Sequence, residues 1–231
     1  MECSTMIPLH DDLGFPRFLT VTFLLVMVNV AVFAYQLSLG SQAPAMIATY
    51  GLVPARLTAL SKGEGWALLT LLTSMFVHGG ILHLAGNMLY LFIFGPAVEA
   101  RFGPRRYVAF YLIAGMVAGL ALVAIDPASP TPMVGASGAI AAVLGAYLVL
   151  FPKARVKTVL PIFILIEFIQ LPALLYLMLW FAIQLIAGLY SGHGAAAGVA
   201  WWVHVGGFLI GVASAPLLAY HKPVARRAVA V

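Results

Sequence analysis

Long apolar runs separated by short polar clusters organise this chain. Crossing about 30 Å of hydrocarbon takes roughly 20 residues of helix. Runs of that order fall at Phe18–Leu39, Ile81–Ala100, Arg106–Ile125, Val134–Phe151, Pro172–Tyr190 and Ala197–Tyr220. The last four are bounded by Pro104, Asp126, Pro130, Pro152, Gly192 and Pro223, residue types that stop or turn helices. The pattern predicts an all-α membrane protein, a six-transmembrane-helix bundle with both termini on one side. Two stretches strain that count. Trp66–Val77 is apolar but too short to cross, so it is expected to lie in or dip into the interface as part of a partly membrane-embedded first loop. Thr158–Tyr190 is too long for one crossing and is interrupted by Pro161, Glu167, Gln170 and Pro172. Two crossings there would put the charge-free Ser191–Gly198 loop inside and the basic tail outside, so it counts as one.

Composition agrees. Of 231 residues, 63% are hydrophobic and 8% charged, and the mean hydropathy is +1.05; soluble domains carry about 25% charge. A net charge of +5 invites a nucleic-acid reading, but the basic residues form short groups between apolar runs, not the dense stripe such binding needs. They read as topology signals. Arg17, Arg101, Arg105, Arg106, Lys153, Arg155, Lys157, Lys222, Arg226 and Arg227 share one face of the predicted bundle, whereas only Arg56 and Lys62 fall on the other. That asymmetry puts both termini in the cytoplasm, with short tails 1–17 and 221–231 flanking a single membrane domain over 1–231. In a bacterium the membrane would be the plasma (inner) membrane. The first run follows an acidic leader (Glu2, Asp11, Asp12) and exceeds a signal-peptide core, so it is expected to remain as a helix. The lone Cys3 excludes an internal disulfide and a cysteine-based metal site.

Against this background a few polar residues stand out. Ser137, in Gly135-Ala136-Ser137-Gly138-Ala139, opens an apolar run that stays uncharged until Lys153. A serine in such a run is most often a packing residue whose hydroxyl bonds back to its own helix. His204, in Trp201-Trp202-Val203-His204-Val205-Gly206-Gly207, is less easily dismissed, because ionisable groups inside spans are rare and functional by default. Both spans run inward from the same face, with Ser137 about three residues in and His204 about seven, so the two can be level at roughly 5–10 Å depth. Gly138, Ala142 and Gly145 on one run, with Gly207 and Gly211 on the other, permit close helix approach; ordinary packing accounts for the same glycines. A serine and a histidine that meet there form a nucleophile and its general base. At the outer end of the second span, His83 and Asn87 are four apart and share a helix face. They suit either a structural network or an oxyanion hole, and His78 joins the same polar cluster. His78 and His83 are five apart with no carboxylate between, which does not fit a metal site. No metal or cofactor is expected.

Together these pieces resemble the rhomboid family of intramembrane serine proteases. The matching motifs are His78-x4-His83-x3-Asn87, Gly95-x3-Glu99-x3-Gly103, Gly135-x-Ser137-Gly138 and His204-x2-Gly207-x3-Gly211, and Ile7-Pro8-Leu9 and Gly51-Leu52-Val53-Pro54 are similar to the family's early segments. The resemblance implies a six-helix rhomboid-like bundle that cleaves membrane-protein substrates within the lipid bilayer near the outer face. It makes Ser137 the nucleophile and His204 the base of a dyad, with His83, Asn87 and the Ser137 amide binding the oxyanion. Gly135, Gly138, Gly207 and Gly211 would serve helix packing, Trp180 and Phe181 a lateral gate on the fifth span, and Ser191–Gly198 a cap over the site.

Three positions depart from the pattern: Trp66 is followed by Ala67 where many members carry a Trp-Arg pair, Ala141 stands where some have a tyrosine stacked on the histidine, and Val203 replaces a common alanine. Asp126 and Glu99 are poorly placed to orient His204, so a dyad is expected in place of a triad. His193, in the cap, competes with His204 as base; His10 and His221 lie on the wrong side. The soluble-hydrolase serine elbow is excluded, since no strand precedes Ser137. Two other functions compete: a polar-solute transporter, which would need polar residues through the full depth, and a catalytically silent relative that binds clients, which would have lost the serine or the histidine.

Overall fold

The computed structural model describes residues 6–16, 19–59, 65–162, 165–190 and 201–220; the expected cap Ser191–Gly198 with His193, the tail from His221 onward, Arg17 and Lys62 lie outside them. In chain order the described elements are β1 (Ile7–Asp11), α1 (Thr20–Ser38), a 3-10 turn (Gly40–Gln42), α2 (Ala43–Tyr50), α3 (Pro54–Thr58), a second 3-10 turn (Gly65–Leu69), α4 (Thr70–Thr73), α5 (Ile81–Phe102), α6 (Pro104–Ile125), α7 (Ser137–Leu150), β2 (Arg155–Ile162), β3 (Leu165–Pro172), α8 (Ala173–Tyr190) and α9 (Trp201–Leu218). Five of them, α1, α5, α6, α8 and α9, are long and apolar enough to cross a membrane, and α7 is a shorter apolar helix of 14 residues. The crossings are all helical and fall where the apolar runs put them.

Helix α7 is the inner helix of the bundle. Every residue from Gly138 to Leu148 is buried, and its neighbours are α5, α6, α8 and α9. The outer helices instead show large apolar side chains to the surroundings, such as Leu24, Ile113, Leu175 and Leu209, as expected where lipid is the solvent. At 1.5 Å per residue α7 is about 21 Å long, well short of about 30 Å of hydrocarbon. At least one of its ends must therefore lie beneath the membrane boundary.

The end of the bundle remote from Ser137 is fastened by buried polar contacts. Glu99 of α5 is 3% exposed; its carboxylate accepts the Val21 N–H (3.0 Å), the Thr22 N–H (2.8 Å) and the Thr22 hydroxyl (2.7 Å). Those amides belong to the first turn of α1, where no intrahelical acceptor exists and negative charge is favoured. Gly103 turns α5 into α6 at φ +75°, and Pro104, lacking an N–H, opens α6 without cost.

One small antiparallel sheet, order β1-β2-β3, sits at that same end and was not part of the expected architecture. The register pairs Ile7 with Val159 and Asp11 with Val156 on one side of β2, and Arg155 with Pro172 through Ile162 with Leu165 on the other. The overlong run thus resolves into a hairpin followed by one crossing. Asp11 accepts the Tyr147 hydroxyl (2.7 Å), tying β1 to the end of α7. The Ala173 N–H donates to Ala154 (2.7 Å) and the Leu174 N–H to Pro152 (3.2 Å), anchoring the start of α8. At the opposite end, the stretch Trp66–Val77 is not one helix but a 3-10 turn and the single turn α4. Its Trp66, Leu68 and Leu69 side chains are exposed.

Candidate active site

Ser137 is the first residue of α7, so its position depends on the loop that precedes it. That loop is tied to the segment between α2 and α3 by reciprocal bonds between Leu52 and Met133 (2.9 and 2.8 Å), and the Gly135 N–H donates to the Ser74 carbonyl (2.9 Å). Gly135 has φ +119°, a backbone state that side chains with a Cβ rarely adopt. A Cβ there would lie 2.7 Å from His83 Cε1, 2.8 Å from His83 Nε2 and 3.5 Å from Asn87 Nδ2. Gly135 therefore packs on His83, not between helices as expected, and its lack of a side chain brings the backbone before Ser137 against the two polar residues of α5.

On the other side, α7 and α9 touch backbone to backbone. A Cβ at Gly207 would strike the Gly138 carbonyl, one at Gly211 the Ala142 carbonyl, and one at Gly145 the Phe208 carbonyl; at Gly138 it would lie 2.7 Å from Val203 Cγ1. This contact delivers His204, one turn before Gly207, to Ser137. His204 Nε2 and Ser137 Oγ are 2.8 Å apart. Nδ1 of the same ring is 2.7 Å from Gln184 Oε1. An amide oxygen can only accept, so Nδ1 carries the proton and Nε2 is left as the acceptor for the serine hydroxyl. Ser137 and His204 are both half-buried.

His83 has the opposite tautomer. Its Nδ1 accepts the Gly79 N–H (3.3 Å), which leaves Nε2 as the protonated nitrogen, the atom facing Gly135. Asn87 is 6% exposed, and its Nδ2 has no hydrogen-bond partner among the described residues. The first amides of α7 likewise have no acceptor within their own helix. Two side-chain donors beside Gly135 and the N-terminus of α7 that starts two residues later thus converge on one end of the helix, a set able to hold an oxyanion.

His78 lies behind this face and is fully buried. Gln36 clasps its backbone, donating to the His78 carbonyl (2.7 Å) and accepting its N–H (3.3 Å), while the His78 and His83 rings meet at 5.2 Å. Burial first, and the neighbouring His83 second, lower the His78 pKa to about 4.

Residues 63–221 match the Rhomboid domain. The chain belongs to the rhomboid family. Its curated relatives include Rhomboid protease AarA of Providencia stuartii, 31% identical over an aligned length of 219 residues, gaps included, that covers 88% of this chain and 75% of that protein. Rhomboid protease GluP of Bacillus subtilis is 37% identical over 130 residues, 56% of this chain and 24% of GluP. RHOMBOID-like protein 5 of Arabidopsis thaliana is 38% identical over 89 residues, 38% of this chain and 28% of that protein. The chain thus spans three quarters of AarA but only about a quarter of the other two. Ser137, His204, Gln184, His83, Asn87, His78 and Gly135 all lie inside the matched rhomboid segment, whereas Gln36 and Leu52, which brace the site, precede it.

Within this rhomboid frame the two aromatic residues expected at a gate have separate surroundings. Trp180 lies 6.0 Å from the His204 ring and Trp201 6.3 Å from it, edge-on, so an α8 indole stands beside the imidazole while Ala141 is buried against Gly207. Phe181 stacks on Phe208 at 4.7 Å. Glu99 is committed to α1. Sequence reasoning missed Gln184, the one side-chain amide in α8; a lone amide in an apolar run was the available signal.

Proposed function

We propose that this rhomboid is an intramembrane serine endopeptidase that cleaves membrane-anchored proteins near the outer face of the bilayer. The observation that carries the reading is the 2.8 Å contact between Ser137 Oγ and His204 Nε2, with the imidazole in the tautomer that accepts a proton.

Chemistry follows from that tautomer. As Ser137 Oγ attacks the scissile carbonyl carbon, its proton passes to His204 Nε2 and the carbonyl oxygen becomes an oxyanion. His83 Nε2–H, Asn87 Nδ2–H and the Ser137 amide donate to it, adding stabilisation that grows only as charge develops. The imidazolium then returns the proton to the departing amine as the C–N bond breaks. Water, deprotonated by the same imidazole, releases the acyl group from Ser137.

Depth supports the same reading. At 14 residues α7 is too short to reach both membrane boundaries, which supports Ser137, at its start, lying below the outer one. The ionisable groups of the site call for water to reach it from the outer side, and the sheet and its basic neighbours lie on the cytoplasmic side in this reading, in keeping with the charge asymmetry. Substrates approach past α8, whose Leu174, Leu175, Met178, Leu179, Ile186 and Leu189 face lipid, with Trp180 and Phe181 on its inner side as the gate.

Labelling with a fluorophosphonate in detergent tests the reading. Wild-type protein is expected to react at Ser137, and Ser137→Ala and His204→Ala are expected not to. Cleavage of a membrane-anchored reporter is expected to follow the same pattern. A Ser137→Ala protein that still cleaves removes the serine from the mechanism.

A further inference from the structure

The nucleophile is on α7 and the base on α9, yet what orients the base comes from a third helix. Gln184 of α8 is 7% exposed, and its Oε1 lies 2.7 Å from His204 Nδ1. Trp180, four residues earlier and so on the same helix face, sets its ring 6.0 Å from the imidazole. From these contacts we infer that Gln184 is a positioning residue, whose carbonyl oxygen holds His204 in the Nδ1–H tautomer and aims Nε2 at Ser137. The inference rests on the proposed serine chemistry and adds a third member to what the sequence presents as a dyad.

Physical reasons favour an amide here. A histidine with an unbonded Nδ1 divides between two tautomers and rotates about its ring axis; only one arrangement accepts the serine proton. A buried acceptor removes both freedoms. Unlike a carboxylate, it adds no charge to a site surrounded by apolar helices, so it avoids the cost of an uncompensated buried anion. The amide orients the base without strengthening it. A further consequence is that correct orientation of the dyad depends on α8 being docked at this level, because no residue of α7 or α9 is seen to bond Nδ1 among the described residues.

Two variants and one spectrum test this. Gln184→Leu, similar in size but without the acceptor, is expected to lower kcat about 10- to 100-fold, the range for stranding one buried donor, with KM changed less than about twofold. Gln184→Glu restores the acceptor and places negative charge beside the imidazolium, which raises the pKa of the base. It is expected to recover most of the lost kcat and to move the acid limb of the kcat profile to higher pH, an effect that repair of packing alone does not produce. In wild-type protein, ¹⁵N-edited NMR is expected to show the His204 proton on Nδ1, absent from His204→Ala. Gln184→Leu at wild-type kcat, Gln184→Glu with an unshifted acid limb, or a wild-type His204 carrying its proton on Nε2 would each overturn the assignment. A wild-type protein that neither cleaves nor labels would instead overturn the serine chemistry, while the NMR measurement still decides the tautomer.

Discussion

Two adjacent glycines of α9 provide a sharp test of the idea that close helix packing builds the site. At Gly206, an added Cβ meets only Ala121 Cβ at 3.4 Å, an ordinary contact. At Gly207 it would run into the Gly138 carbonyl oxygen, with the Gly138 carbonyl carbon at 3.1 Å and Ala141 Cβ at 3.2 Å. Backbone cannot rotate aside, so α9 must move from α7 by about 1 Å to restore normal contact distances. His204 travels with α9, and a 2.8 Å bond to Ser137 stretched by that amount is no longer a hydrogen bond. Misplacement of about 1 Å costs about 100-fold in rate, and overpacking costs about 1–3 kcal/mol in stability. The assay is the second-order rate of fluorophosphonate labelling in detergent, with thermal unfolding measured in parallel. Gly206→Ala is expected within about twofold of wild type, and Gly207→Ala about 100-fold slower. Equal rates for the two variants would refute the claim that this contact sets the dyad distance.

Other expectations concern the rest of the site and the distant end of the bundle. Asn87→Ala, which removes the unpaired Nδ2 donor, is expected to reduce single-turnover cleavage about 100- to 1,000-fold while leaving substrate binding unchanged. His78 titrates at about 4 in the fold, against 6.5 in the unfolded chain. Between those values the unfolded state takes up the proton and the folded state does not, so stability is expected to fall as pH drops through 6.5 toward 4, by up to about 3 kcal/mol. A Tm series over that window should show this slope in wild type and lose it in His78→Phe. Glu99→Gln weakens the cap on the first turn of α1 and is expected to cost about 1–3 kcal/mol, read as a lower Tm, with the labelling rate of the remaining folded protein preserved.

The crossings were legible because lipid imposes a coarse rule: about 20 apolar residues make a helix. Expected Ile81–Ala100 became α5 (Ile81–Phe102), and expected Pro172–Tyr190 became α8 (Ala173–Tyr190). That rule fails where apolar residues are not helical. Val134 and Ala136 are apolar but belong to the loop that Gly135 bends, so α7 starts at Ser137 and is shorter than its run. β3 and most of β2 lie in the overlong run, where hydropathy does not distinguish a hairpin from an extended helix. Their third strand, Ile7–Asp11, comes from the far end of the chain, and no local pattern indicates that pairing.

Legibility of the site divides in the same way. Ser137, His204, His83 and Asn87 could be singled out because each is a polar group in an apolar setting with glycines or a partner at helical spacing. Gln184 shares the first property but lacks any spacing signal, and its partner lies 20 residues away on another helix. Trp180 was read as a gate residue from the family resemblance of the fifth span; in the fold the face it shares with Gln184 is turned to His204. These two contacts change the chemistry that the motifs implied. With a serine and a histidine only, nothing favours the productive tautomer over the other, and about 1.4 kcal/mol separates a tenfold preference from none. The buried acceptor on α8, 2.7 Å from Nδ1, is the group proposed to supply such a preference. Under the proposed serine chemistry, the family motifs on α7 and α9 supply the reacting atoms, while a residue outside every motif is the one proposed to select which nitrogen of the base reacts.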